Sequence, residues 1–185
     1  MTRIALDHDS TLAATWAVAF DLMHGRDHEF SYASLESWDW GLDTFGPERA
    51  LSALWHAWTL RPLDVPPLEQ NLAETVALLR EDYEVDIVTA HPDHPGITEG
   101  KELWLDHHGI EYDNFVHVMM GETKADLDYD VYVDDKPYLC DNFEDGSKTQ
   151  YIIRHRYNEH VAHPQAIHVD SVAEFATRMP VHKVA

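Results

Sequence analysis

Two short apolar runs in this sequence stop at carboxylates. Residues 4–6 (Ile-Ala-Leu) lead directly into residues 7–9 (Asp-His-Asp), and residues 131–133 (Val-Tyr-Val) lead into residues 134–135 (Asp-Asp). Such a run is typical of a buried strand, and open α/β sheets bind ligands beyond the carboxyl ends of their strands. Carboxylates from two strand ends can hold a hard cation such as Mg²⁺. The pattern therefore predicts a metal site suited to phosphoryl transfer.

Two further residues extend this argument along the chain. Thr89 follows the predicted strand 85–88, and Lys124 is an isolated lysine that precedes Asp134 in a chain with few lysines. A phosphomonoester and an attacking carboxylate are both anionic, so a metal and a lysine are needed to cancel their repulsion. The hydroxyl group of Thr89 could hydrogen-bond a phosphoryl oxygen. Each feature alone is weak, but all four in this order favour phosphate chemistry.

These four elements resemble the haloacid dehalogenase superfamily of aspartate-nucleophile phosphatases. The resemblance implies that Asp7 attacks phosphorus and that Asp9 acts as general acid and then as general base. It also implies that Mg²⁺ is held by Asp7, by the backbone carbonyl of Asp9 and by Asp134, with Asp135 supporting the metal shell. Lys124 would neutralise the phosphoryl group and hold Asp7.

A narrower resemblance covers residues 85–107 and 131–158, which are similar to the 5′(3′)-deoxyribonucleotidase family of the cytosolic type C. This resemblance implies a second phosphate contact from Lys101 and a backbone N–H from Ala90. It departs at three positions: Ser10 stands where glycine is usual, His8 where an apolar residue is usual, and Glu122 lies in a segment that often supplies a basic residue.

In the same family, aromatic residues of a cap inserted after the first motif stack on the base. The candidates for the substrate pocket are Phe20, Trp38 and Trp40, with Trp55 and Trp58 as further aromatic candidates, and His91, which lies just after Thr89. Tryptophans with helical spacing are more often core residues than stacking residues, so both interpretations of these side chains stay open.

Composition restricts the partners and the compartment. The chain has 185 residues and a formal charge of −21, which argues against nucleic acid or an anionic membrane as a partner. The acidity fits either simple solubility or a halophilic protein of a high-salt cytosol. A single cysteine, Cys140, excludes an internal disulfide and fits a reducing compartment. With no signal-peptide pattern at the start and no long apolar stretch, we expect a cytoplasmic protein without a membrane span.

Alternating strand and helix patterns predict a Rossmann-like three-layer α/β/α sandwich with a parallel sheet and a small helical cap after the first strand. Residues 1–11 and 67–185 would form the catalytic core, and residues 12–66 the cap. The predicted strands are 3–7, 85–88, 115–119, 129–133, 151–153 and 167–169. The predicted helices are 12–23, 47–59, 68–81, 98–108 (capped by Thr98) and 171–178.

The function predicted from these residues is a Mg²⁺-dependent phosphomonoesterase with an aspartyl-phosphate intermediate. The preferred substrate is a nucleoside 5′-monophosphate, with a deoxyribonucleotide favoured. One alternative is a phosphatase for another small metabolite, such as a sugar phosphate or phosphoglycolate, because the cap rather than the core contacts the leaving group. Another is a non-catalytic module that binds a phosphorylated ligand or a protein. Whether the chain forms a homodimer stays open.

Overall fold

The computed structural model describes residues 1–25, 30–144 and 146–180. In these residues six strands form one sheet: β1 Arg3–Leu6, β2 Glu84–His91, β3 Phe115–Met119, β4 Val131–Asp134, β5 Thr149–Ile153 and β6 Ala166–Val169. The strand order is β3-β2-β1-β4-β5-β6, and every neighbouring pair is parallel. The predicted Rossmann-like parallel sheet is confirmed.

The strand order places the two acidic motifs side by side. The chain builds the sheet outward from β1 through β2 to β3, then returns to start β4 on the other side of β1. A crevice opens at such a switch point, beyond the carboxyl ends of the strands. Leu6 pairs with Val133 in the register of β1 and β4, so Asp7 and Asp134 emerge next to each other at that crevice.

The helices of the described residues are α1 Thr15–His24, α2 Trp40–Phe45, α3 Pro47–Leu60, α4 Leu72–Arg80, α5 Pro95–His107 and α6 Val172–Arg178. The prediction that Thr98 caps α5 is wrong. His94, with extended backbone, is the N-cap, and Pro95 occupies the first turn. Proline suits that position because its fixed φ matches the helix and its missing N–H has no intrahelical partner.

The alternation of side chains along the strands divides the core between two faces of the sheet. Ile4 and Leu6 of β1 pack with α4, α5 and α6, whereas Ala5 joins a smaller cluster on the opposite face. That second face is covered in part by short 3₁₀ helices, which contribute Ala125 and neighbour Leu139. The sheet is therefore buried on both sides, as a parallel sheet requires.

Residues 12–66 were predicted to be a cap, and residues 26–29 of that segment lie outside the described residues. The described part contributes α1, α2 and α3 and no strand to the sheet. Its two ends lie side by side, since Leu68 N donates to Leu12 O at 2.8 Å and Ala14 N donates to Pro66 O at 2.9 Å. The exact boundaries of the cap stay a prediction. No described helix combines the length and apolar character needed to span a membrane.

Candidate active site

Lys124 holds two strand-end carboxylates together. Its Nζ lies 2.6 Å from Asp7 Oδ1 and 2.6 Å from Asp134 Oδ2, and all three side chains are buried. Lys124 begins a 3₁₀ helix whose first turn is fixed by Thr123, since the Thr123 hydroxyl accepts the backbone N–H of Ala125. Burial lowers the pKa of Lys124, but the charges of Asp134 and Asp7 outweigh it and raise that pKa above its usual range.

Asp7, Asp134 and Asp135 form a buried acidic cluster that could hold a divalent cation. One carboxylate oxygen from each residue lies within 4.8 Å of the corresponding oxygens of the other two. Burial raises the pKa of Asp7 to about 6 against the attraction of Lys124, and Asp134 and Asp9 add to the rise. Burial and the charges of Asp7 and Asp134 raise the pKa of Asp135 well above its usual range. Three carboxylates with one lysine leave negative charge unbalanced, and oxygen ligands of this kind suit a hard cation.

Two residues that follow β5 form hydrogen bonds with Asp135. The hydroxyl of Tyr157 donates to Asp135 Oδ2, and Asn158 Nδ2 donates to the carbonyl oxygen of Asp135 at 2.8 Å. The same amide group also donates to Ile153 O at 2.8 Å, which ties the loop to the end of β5. Tyr157 and Asn158 are buried, so these contacts fix the orientation of Asp135 much as outer-shell partners fix metal ligands.

Asp9 does not join the acidic cluster through its carboxylate. Its Oδ1 accepts from Thr15 Oγ1 at 2.5 Å and from Trp58 Nε1 at 2.8 Å, while its Oδ2 accepts from Lys101 Nζ. Burial raises the pKa of Asp9, but the charge of Lys101 and the hydrogen bonds from Lys101 and Thr15 outweigh burial and hold that pKa below its ordinary value. The carboxylate is therefore ionised in this arrangement.

Thr89, Lys101 and Ala90 lie at the same end of the sheet. Lys101 is fully buried on α5, and its Nζ donates to Thr89 Oγ1 at 2.6 Å. Thr89 Oγ1 in turn lies 3.5 Å from Asp9 Oδ2. Ala90 is exposed and lines the cavity described next. Of the predicted phosphate-binding residues, Ala90, Lys101 and Lys124 line that cavity, whereas Thr89 is fully buried behind Lys101 and is not among the described lining residues.

A cavity of about 360 Å³ opens over these groups. Asp7, Asp9, Lys101 and Lys124 lie on its lining together with the predicted Trp38, Trp40 and His91. Other indole rings line it as well, and these belong to Trp16, Trp55 and Trp58. A charged floor beneath aromatic walls suits a ligand with an anionic end and a flat apolar end.

Phe20 is the predicted pocket residue that the structure places elsewhere. It is not among the described residues that line the cavity; its ring lies 6.3 Å from that of Trp40 and 5.7 Å from that of Phe45, centroid to centroid. A local sequence pattern does not reveal which neighbours the ring of Phe20 packs against. The contacts of Thr15 and Trp58 with Asp9 were missed for the same reason, since no local signal distinguishes them from ordinary helix residues.

Comparisons with known proteins point the same way. No family model matches the chain. A protein of Staphylococcus epidermidis named "Putative 5′(3′)-deoxyribonucleotidase" is 31% identical over 165 residues, which cover 85% of this chain and 87% of that protein. This chain belongs to the 5′(3′)-deoxyribonucleotidase family. A haloacid dehalogenase-like family hydrolase from Xanthomonas campestris shares the fold, with a TM-score of 0.53, 12% identity, and coverage of 96% of this chain and 93% of that one. The chain thus has a haloacid dehalogenase-like fold, and its membership of the deoxyribonucleotidase family makes it a hydrolase.

Two departures of this deoxyribonucleotidase-family chain from its family pattern have structural explanations. Ser10 adopts φ +59°, a left-handed conformation. Glycine reaches this conformation without strain, which accounts for the glycine usual at this position. His8 is fully buried between the edges of Trp58 and Trp104, with ring centroids 4.7 and 5.0 Å away. Burial, reinforced by Lys101, lowers the pKa of His8 to about 3, so the neutral ring occupies the place of an apolar side chain.

The third departure, Glu122, faces the substrate side of the deoxyribonucleotidase-family site. It lines the cavity together with Lys124, and its side chain is exposed. Its Oε2 accepts from Met119 N at 3.3 Å, which holds the loop after β3. A carboxylate at this position disfavours additional negative charge on a ligand.

Proposed function

We propose that this protein is a Mg²⁺-dependent phosphomonoesterase that acts on nucleoside 5′-monophosphates, with deoxyribonucleotides preferred, through an aspartyl-phosphate intermediate. The observation that carries the proposal is the position of Asp7. Its carboxylate lies on the floor of the tryptophan-lined cavity, 2.6 Å from the ammonium group of Lys124 and beside Asp134 and Asp135. The name of the Staphylococcus epidermidis relative supports the same substrate class.

In the first half-reaction, an oxygen of Asp7 attacks phosphorus. A bond forms between that oxygen and phosphorus while the bond from phosphorus to the leaving oxygen breaks. Lys124 orients Asp7 and lowers the repulsion between the carboxylate and the phosphoryl oxygens. Lys101 and the hydroxyl of Thr89 bind the phosphoryl group from the other side.

Asp9 supplies the proton to the leaving oxygen and then removes one from the water that hydrolyses the aspartyl-phosphate. In the structure Lys101 and Thr89 are both engaged with Asp9. A phosphate group that binds Lys101 and Thr89 draws these two donors away from the carboxylate. Asp9 can then accept a proton, whereas its carboxylate stays ionised as long as Lys101 and Thr89 contact it.

Asp7, Asp134 and the backbone carbonyl of Asp9 would hold Mg²⁺, with Asp135 supporting them. When bound, the ion neutralises charge that the phosphoryl group gains during transfer. The chemistry of the donor set fits this ion, since carboxylate and carbonyl oxygens are the ligands that Mg²⁺ prefers. The ion also offsets the negative charge that three buried carboxylates and one lysine leave in place.

The cap, residues 12–66, would bind the leaving group. Its described residues supply the cavity's indole rings at positions 16, 38, 40, 55 and 58, and flat nucleobases stack on such rings with a favourable free energy of about 1–3 kcal/mol each. A sugar phosphate or phosphoglycolate offers no such surface. The tryptophan lining is what favours a nucleotide over these smaller metabolites.

Phosphate release from a panel of phosphomonoesters tests the proposal. The panel contains purine and pyrimidine ribo- and deoxyribonucleoside 5′-monophosphates, ribose 5-phosphate and phosphoglycolate, each with Mg²⁺ or with EDTA, at low and at molar KCl. We expect Mg²⁺-dependent release that favours the nucleotides. Equal rates for ribose 5-phosphate would reject the nucleotide specificity, and no release at either salt concentration would favour a non-catalytic binding module.

A further inference from the structure

The carboxylate assigned as general acid is held by a residue of the cap. Trp58 lies near the end of α3, and its Nε1–H donates to Asp9 Oδ1 at 2.8 Å. The hydrogen bond spans 49 residues of sequence. Trp58 is 2% exposed, so water does not compete for its indole N–H, and the charge on Asp9 makes this hydrogen bond stronger than one to a neutral acceptor.

The orientation of the Trp58 ring is itself fixed from several sides. His8 and Trp104 meet it edge to face, at 4.7 and 6.4 Å between centroids. The ammonium group of Lys101 lies 5.6 Å from the ring centroid while it also binds Asp9. Rings in such a packed environment have little rotational freedom, so the indole N–H points at Asp9 whether or not Lys101 is engaged elsewhere.

Gly100 allows the backbone of α3 to come close enough for this contact. A Cβ atom at Gly100 would meet the carbonyl oxygen of Trp58 at 2.1 Å, and its carbonyl carbon at 2.9 Å. The residue immediately before Lys101 therefore sets the distance between α3 and α5. This close approach fixes the spacing between the two groups of these helices that donate to Asp9, the indole N–H of Trp58 and the ammonium group of Lys101.

We propose that Trp58 is a positioning residue for Asp9, and that its indole N–H keeps the carboxylate aimed at the leaving oxygen when substrate has drawn Lys101 and Thr89 onto the phosphoryl group. This inference rests on the proposed function. It links the segment that binds the leaving group to the residue that protonates it. The consequence is specific: loss of the N–H impairs protonation of the leaving group and spares attack by Asp7.

The test compares two substrates of similar size and different need for a proton. Benzyl phosphate releases an alkoxide unless it is protonated, whereas 4-nitrophenyl phosphate releases a stable phenolate. The measured quantity is kcat/KM, because it covers the steps up to departure of the leaving group and excludes hydrolysis of the common aspartyl-phosphate. Trp58→Phe keeps an aromatic ring against His8 and removes the N–H.

We expect Trp58→Phe to lower kcat/KM for benzyl phosphate by about 10-fold or more, in line with the size of general acid effects, and to change that for 4-nitrophenyl phosphate several-fold less. Trp55→Phe is the matched control, since it makes the same change on the same helix at a residue that also lines the cavity. It should affect both substrates by similar factors. Asp9→Asn should show the same selective loss as Trp58→Phe, and more strongly.

A second replacement guards against misfolding of the phenylalanine variant. Benzothienylalanine at position 58 has the shape of tryptophan with sulfur in place of N–H, so it preserves the packing and removes only the donor. Equal losses for both substrates in these two variants, or no loss in either, would overturn the role of Trp58. If the wild-type protein with Mg²⁺ hydrolyses neither these two substrates nor any nucleoside 5′-monophosphate, the proposed function fails and this inference fails with it, which is a distinct result.

Discussion

The Nζ atom of Lys124 lies at the same distance, 2.6 Å, from Asp7 Oδ1 as from Asp134 Oδ2. One buried ammonium group thus joins the proposed nucleophile of one strand to the proposed metal ligand of the next. It leaves the net charge of the acidic cluster negative, because Asp135 adds a third carboxylate. The cluster is stable only with protons or a cation as further partners, and the first two predictions follow from this balance.

Asp7→Asn should abolish phosphate release and leave the fold intact. Loss of an attacking nucleophile lowers turnover by about 10⁴-fold or more. The pKa of Asp7 is raised to about 6 from 3.8, so above pH 6 the ionised carboxylate costs folding free energy that asparagine does not. We therefore expect a Tm at neutral pH no lower than that of the wild type. Asp170→Asn, the same change at a carboxylate that is 76% exposed, is the control for activity; retained turnover in Asp7→Asn would reject the mechanism.

Mg²⁺ should raise the Tm of the wild-type protein at constant ionic strength. A ligand that binds only the folded state at about 100 times its Kd stabilises that state by about 2.7 kcal/mol, which corresponds to a shift of several degrees. Asp134→Asn removes a carboxylate of the cluster and should abolish most of the shift, whereas Asp170→Asn should keep it. Differential scanning fluorimetry with Mg²⁺ or EDTA measures both. An unchanged shift in Asp134→Asn would place the ion elsewhere.

His91 should make the fold sensitive to mild acid. Burial, reinforced by Lys101, lowers the pKa of His91 from 6.5 to about 4. The unfolded chain therefore binds a proton first, and the contribution of His91 is complete above pH 6.5 and is lost as the pH falls from 6.5 towards 4. His91→Asn should weaken this dependence by on the order of 1 kcal/mol between about pH 7 and about pH 5. Urea unfolding of the wild type and of His91→Asn at the two pH values gives the free energy of unfolding of each. Carboxylates that titrate in both proteins cancel when the two pH dependences are compared. The same pH dependence in both proteins would contradict the role of His91.

The net charge of −21 should make stability depend strongly on salt. If the protein is halophilic, screening and ion binding in molar KCl reduce its self-repulsion. We then expect the Tm to rise by about 10 °C or more between low salt and molar KCl. Thermal unfolding across a KCl series, followed by circular dichroism, measures this. A Tm that does not change with KCl concentration would indicate that the acidic composition serves solubility alone.

The carboxyl ends of β1 and β4 were predictable from the sequence. Apolar runs that stop at Asp7 and Asp134 mark them, whereas β2 continues past Thr89 to His91. Parallel strands place their carboxyl ends at one edge of the sheet. The doubly wound sheet then follows from the alternation of strand and helix patterns, which depends only on local periodicity. The resemblance to the family added Lys101, which periodicity alone does not distinguish from a surface lysine, whereas Lys124 stood out as an isolated lysine in a chain with few of them.

Tertiary structure alone decided which groups contact Asp9 and which rings face the cavity. Trp58 and Lys101 reach Asp9 across 49 and 92 residues, and a helical stripe does not reveal its partner at such separations. The same limit explains why Phe20 packs beside Trp40 rather than lining the cavity. The sequence by itself determined the strands and the acidic residues they carry, since these depend on local patterns. The surroundings and charge state of those residues depend on long-range packing, which only the folded chain defines.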